Sequence, residues 1–244
     1  MNIMLKFLRS SFLLLTILMV TGCAGKLANQ TYEDQIIPDP YENINRSFFA
    51  FNVGLDLVII RPVSTAYDRI TPGVVRTGVS NFLSNLTEPR NAINNFLQLK
   101  IDRGFTSIMR FAFNSTIGLG GLVDIMSGSG VPQVPEDFGQ TLAYWGAKPG
   151  AYIYLPILGP SSVRDSIGRI GDFLMLSPNQ IINDSTNETY HTVINVVESR
   201  ADLLPLDPIL KRQVNIYNFL HNGYEQTRID KIFDGNPPEI KEDF

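Results

Sequence analysis

The chain has 244 residues, with 20 Lys and Arg against 24 Asp and Glu, for a formal charge of −4. Charged residues make up only 18%, below the roughly 25% of an average chain, which argues against disorder. The acidic balance argues against a nucleic-acid binder, which needs a clustered basic surface. One cysteine and two histidines exclude an intramolecular disulfide and a multi-thiolate metal site and leave little for a His-ligated metal. No metal or other cofactor is expected.

Lys6 and Arg9 precede an apolar run over residues 12–20, which ends in Val20-Thr21-Gly22-Cys23. A basic stretch, an apolar stretch of secretory length and small residues before a cysteine read as a signal peptide over residues 1–22. Its last four residues match a bacterial lipobox, with Cys23 as the thiol that takes lipid. An ordinary signal peptide or a single anchor beside a chance cysteine is the competing reading, but the run is short for a membrane span. Ala24, where retention in the inner membrane favours Asp, points to the outer membrane by resemblance to lipoprotein sorting. Several acyl chains would hold the protein firmly, since one chain binds only marginally. After Cys23 no stretch approaches roughly eighteen consecutive apolar residues, so no conventional transmembrane helix is expected.

Residues 23–38 are polar and aperiodic, as a lipidated tether should be; the folded domain is expected over residues 39–235 and a loose tail over 236–244. Over residues 43–60, Asn45, Asn52 and Asp56 fall within roughly 40° of one another on a helix. Ile44, Phe48, Phe51, Leu55, Val58 and Ile59 fill a wide apolar arc, the reverse of a soluble surface helix. Phe49 intrudes on the polar stripe and Gly54 weakens the helix. Two readings stay open: an apolar arc against lipid, or a buried helix whose Asn and Asp side chains are satisfied by neighbours.

Thr71 as cap and Pro72 at the first position start a helix to about Leu86. A second is expected from Thr87, with Pro89 in its first turn, and a third from Asp102 through Ala112. Residues 118–160, rich in Gly and Pro, read as loops with short helices. Tyr190 to Leu204 gives a further helical face, and Asp207 and Pro208 open a long last helix with Leu210, Val214, Tyr217, Tyr224 and Arg228 on one side.

Enzyme signals are weak. The glycines of Gly118-Leu119-Gly120-Gly121 lack the offsets and βαβ context of a nucleotide site and read as a close approach or sharp turn. Ser161 lacks a nucleophile-elbow pattern and reads as a helix cap. Glu136 and Asp137 read as a solvated or capping pair, and His191 and His221 as surface or core residues. Trp145 suits either the lipid interface or ordinary packing.

Several motifs resemble, in order, those of the MlaA (VacJ) family of outer-membrane lipoproteins. They are Asp39-Pro40-Tyr41-Glu42-Asn43-Ile44-Asn45-Arg46, Arg76-Thr77-Gly78-Val79-Ser80-Asn81-Phe82-Leu83-Ser84-Asn85-Leu86-Thr87-Glu88-Pro89, Arg110-Phe111-Ala112-Phe113-Asn114-Ser115-Thr116-Ile117-Gly118-Leu119-Gly120-Gly121, Glu136-Asp137-Phe138-Gly139-Gln140-Thr141-Leu142 and Gly159-Pro160-Ser161-Ser162-Val163-Arg164-Asp165. The resemblance implies an all-α, ring-like arrangement of amphipathic helices with a central channel and irregular Gly/Pro-rich connections, set in the outer membrane from its periplasmic face. It implies a non-enzymatic role: phospholipid misplaced in the outer leaflet passes through the channel to a periplasmic lipid carrier, beside a trimeric porin, which maintains lipid asymmetry. In that frame Asn45, Asn52 and Asp56 are expected to line the channel, with Arg46 at its rim as a phosphate partner or, equally, ion-paired to Glu42. A structural envelope lipoprotein that scaffolds partners without conducting lipid is the alternative.

Overall fold

The structure, a computed structural model, describes residues 30–176 and 187–239; the expected signal peptide, Cys23 and residues 240–244 lie outside them. The segment expected to tether the domain is packed from Gln30 onward. It forms a 3-10 turn at Glu33–Gln35 and buries Gln35 and Ile37. Arg164 Nη1 donates to Gln35 Oε1 at 2.6 Å, the Ile37 N–H to Glu225 Oε2 at 2.6 Å, and the Tyr152 N–H to the Pro38 carbonyl at 2.8 Å. The folded domain therefore begins before Asp39. A segment this short, held by single anchors, carries no periodicity from which to read it.

Helix α1 (Glu42–Leu55) runs without a break through a π-turn at Asp56–Ile60 into α2 (Arg61–Ile70). The wide turn has a local cause. Pro62 has no N–H and its ring crowds the carbonyl four residues earlier; bonding the Arg61 N–H to Asp56 O, five residues back, opens the ladder there. Helix α3 (Gly73–Leu97) starts one residue after Pro72 and continues through Pro89. The break expected at Thr87 does not occur: Asn85, Glu88, Asn91, Asn94 and Asn95 are buried on both sides of the proline, and their packing outweighs its cost of about 3 kcal/mol. Helix α4 (Ile101–Thr116) returns along α3. Gly104 permits that approach, since a Cβ there would lie 2.4 Å from Phe96 Cε1.

The Gly/Pro-rich middle holds two short helices, α5 (Ile125–Gly128) and α6 (Phe138–Tyr144). It also holds an antiparallel hairpin, β1 (Tyr152–Leu155) and β2 (Gly159–Ser162), with Tyr152 opposite Ser162. Gly118 bears out its reading as a close approach, because a Cβ there would meet the Val123 carbonyl at 2.3 Å. Helix α7 (Val163–Leu176) is capped by Ser162, whose Oγ accepts the Asp165 N–H at 3.1 Å. Ser161, the expected cap, instead shares a 3.0 Å hydrogen bond with the Ser166 hydroxyl.

Helix α8 (Asn187–Leu203) leads through a 3-10 turn to α9 (Asp207–Leu210). The long last helix expected from Asp207 is interrupted there. Helix α10 (Ile216–Ile232) starts afresh, with Asn215 Oδ1 accepting the Asn218 N–H at 3.1 Å. An apolar cluster of Ile37, Tyr152, Tyr154 and Tyr217 joins the hairpin to α1 and α10, with Phe49 and Tyr224 against it. Phe49 meets Tyr154 and Tyr217 edge-on at 5.6 and 5.7 Å between centroids.

Candidate lipid-facing surface and polar interior

Among the described residues, the buried positions comprise eleven apolar and twenty-two polar or charged side chains. Water-soluble domains show the opposite balance, because burying polar groups costs unless every one is partnered. Here most are. Helix α3 presents Glu88 to Arg110 of α4 at 2.6 Å, and Arg110 reaches Asp124 at 2.8 Å and the Val131 carbonyl at 2.5 Å. Burial would lift the Asp124 carboxyl, but hydrogen bonds from Ser127, Arg110 and Asn114 hold it well below the usual carboxylate range.

A second cluster centres on Arg228 of α10, which meets Asp137 at 2.6 Å and Asp165 at 2.8 Å. Tyr224 donates to Asp165 at 2.5 Å, and Arg164 flanks it at 3.0 Å. In a third, Lys100 bridges Glu136 at 2.9 Å and Asp234 at 2.8 Å. Asp137 caps α6 as one of its two readings had it, whereas Glu136 is buried in this network and not solvated. Burial pushes the Glu136 carboxyl above its ordinary value in spite of Lys100.

The exterior is correspondingly oily. Ile44, Phe51, Leu57, Val58 and Ile59 are exposed along α1 and the π-turn, Val63 and Ile70 on α2, and Val74 on α3. Phe105, Ile108 and Met109 of α4 and Ile167, Ile170 and Phe173 of α7 extend this surface. Of the two readings of residues 43–60, the structure takes the exposed arc and not the buried helix. The whole run Glu42–Ile70 is, by length and composition, one helix long and apolar enough to cross a membrane. No such helix was expected, because Asp56 and Arg61 interrupt the apolar residues; in the structure they pair at 3.1 Å.

The side chains of the polar stripe are bonded within the protein. Asn45 is buried: its Nδ2 donates to Asp39 Oδ1 at 2.7 Å and the Tyr152 carbonyl at 3.0 Å, and its Oδ1 accepts the Tyr154 N–H at 2.9 Å. Asn52 repeats the pattern two turns on, with the Leu155 carbonyl at 3.0 Å and the Ile157 N–H at 2.8 Å. The two amides button α1 to the hairpin. Asp56 joins Arg61 and Arg200, and Arg200 reaches Asp207 at 2.8 Å, which ties the π-turn to α8 and α9. Arg46 forms the ion pair with Glu42 at 2.7 Å and lies over the Tyr217 ring at 4.3 Å.

Phe49, the apparent intruder, belongs to the same inward face. His221 packs in the core against the Tyr152 ring at 4.1 Å. Trp145 is half-buried, with its Nε1 donating to the Leu97 carbonyl at 2.9 Å. The side chain of His191 lies outside the described residues.

A helical chain with charge inside and hydrocarbon outside defines a class: proteins built to sit against lipid. Comparison with known proteins sharpens this. Residues 37–231 match the model of the MlaA lipoprotein family, and the chain belongs to that family. An uncharacterized protein of Rickettsia felis is 35% identical over 191 residues, 78% of this chain and 76% of the relative. The intermembrane phospholipid transport system lipoprotein MlaA of Escherichia coli is 33% identical over 233 residues, 93% of this chain and 90% of that one. A solved structure described as the structural basis for maintenance of bacterial outer membrane lipid asymmetry superposes with a TM-score of 0.71. It is 34% identical and covers 81% of this chain and 99% of its own.

Proposed function

We propose that this chain is an outer-membrane lipoprotein of intermembrane phospholipid transport, which withdraws mislocalised phospholipid from the outer leaflet and so maintains lipid asymmetry. The family match over residues 37–231 carries the reading. Relatives named for intermembrane phospholipid transport align over nine-tenths of their length. The physics of the chain agrees with it. A phospholipid is stopped at a membrane by its charged headgroup, whose unpaired burial costs several kcal/mol. A polar interior lowers that barrier, while helices satisfy their own backbone and offer hydrocarbon an apolar wall.

In this reading the acylated Cys23 holds the protein at the periplasmic face, the helices surround a polar passage, and a periplasmic carrier receives the lipid beside a trimeric porin. Of the four residues expected at the channel, Arg46 meets a headgroup at the rim only by giving up its pair with Glu42. The task is movement, with no bond made or broken. Its test is reconstitution of the purified chain in vesicles with a labelled phospholipid. Transfer to an apolar-cavity carrier well above the protein-free rate is expected. Transfer at the protein-free rate leaves the scaffolding lipoprotein, and release of fatty acid would indicate a hydrolase.

A further inference from the structure

Among the described residues, every buried or half-buried arginine has a carboxylate partner, with one exception. Arg46, Arg61, Arg76, Arg103, Arg110, Arg164, Arg200 and Arg228 are all ion-paired. Arg90, half-buried in the middle of α3, is not, and its Nε is buried without a hydrogen-bond partner. The buried carboxylate that feels its charge is Asp172 of α7. That group is engaged elsewhere: its oxygens accept the Phe138 N–H at 3.1 Å and Asn94 Nδ2 at 3.0 Å.

The Nε of this half-buried guanidinium is withdrawn from water with nothing to accept from it, an unsatisfied charged donor that costs stability until it finds an acceptor. In the transport reading, an unpaired cation behind an apolar wall is where a charged substrate would be met. Its planar fork of donors matches the oxygens of a phosphate two at a time. Helix α7 carries Asp172 inward and exposes Ile170 and Phe173 outward. An anion at Arg90 therefore lies within about one helix diameter, roughly 10 Å, of apolar surface. That juxtaposition suits an amphiphile better than a free ion.

We propose that Arg90 holds the phosphodiester of the phospholipid as it passes through the protein, an inference that rests on the transport reading above. The test measures binding of dioleoylphosphatidylglycerol and of phosphate-free dioleoylglycerol to the full acylated chain in detergent, for the wild type, R90K and R90Q. Dioleoylphosphatidylglycerol affinity should fall at least tenfold in R90Q and less in R90K, with dioleoylglycerol binding unchanged in all three. Equal phospholipid affinity across the three would overturn the proposal and leave transport intact. So would a matching loss of dioleoylglycerol binding in both variants, which would make Arg90 a packing residue. Displacement of the phospholipid by millimolar inorganic phosphate would make this a free-phosphate site and overturn the lipid assignment. A wild type that binds neither lipid would sink the transport reading itself.

Discussion

Burial and hydrogen bonding pull Asp172 in opposite directions. Burial is the larger effect and, with the nearby charge of Asp137, lifts the carboxyl to about 6; Arg90, the Phe138 N–H and Asn94 oppose it. An unfolded Asp titrates near 4, so the folded state holds this proton more tightly. The resulting stabilisation is complete below the unfolded value and is lost as pH rises through about 6, a difference on the order of 3 kcal/mol. Glu136 and Glu198, also raised by burial, add to the same trend. Asp124 and Asp137, held low by hydrogen bonds in spite of burial, lose their contribution only in more acidic solution. The thermal midpoint in detergent should therefore fall between pH 4 and pH 6.5, and D172N should shrink that fall. An unchanged pH profile in D172N would show that Asp172 is as well solvated as a surface carboxylate.

At the scale of elements, the contact between α1 and the hairpin depends on two asparagines. Replacing Asn45 with Ala removes three hydrogen bonds and strands the Tyr154 N–H and the Tyr152 carbonyl. At about 1 kcal/mol for each bond, and more for a stranded buried group, N45A should lose about 3 kcal/mol in chemical denaturation. N52A, at a less buried site, should lose less. The helical periodicity of residues 43–60 was plain in the sequence, and so was the narrowness of the polar stripe; what the stripe touches was not. Period specifies a face but never its neighbour, and the partner hairpin lay in a Gly/Pro-rich stretch, where the strand-like residues 151–155 give no sign of what they pair with. Phe49 was the available clue, since an aromatic among the stripe residues marks a face that packs. Pro89 misled for the opposite reason: a local rule predicted a break that the long-range packing of α3 against α4 overrides. The ordered motifs made the family legible early, because they record part of the buried polar network, Glu88, Arg110 and Asp137 included.

For the molecule as a whole, the exposed apolar surface predicts membrane affinity apart from the lipid anchor proposed at Cys23. A mature chain carrying Cys23→Ala, which cannot be acylated, should still float with phospholipid vesicles. Val58 and Val74, 75% and 87% exposed, are the positions at which to challenge this. V58D or V74D brings a carboxylate to the wall at a cost of about 2.5 to 3.5 kcal/mol if that wall meets hydrocarbon. Either should lower co-flotation at least tenfold; unchanged flotation would mean that those residues face water or protein.

The same greasy coat also governs the life of the chain before it reaches any bilayer. A surface with so much unshielded hydrocarbon invites clumping in an aqueous compartment. Purification therefore needs a surfactant from the first step.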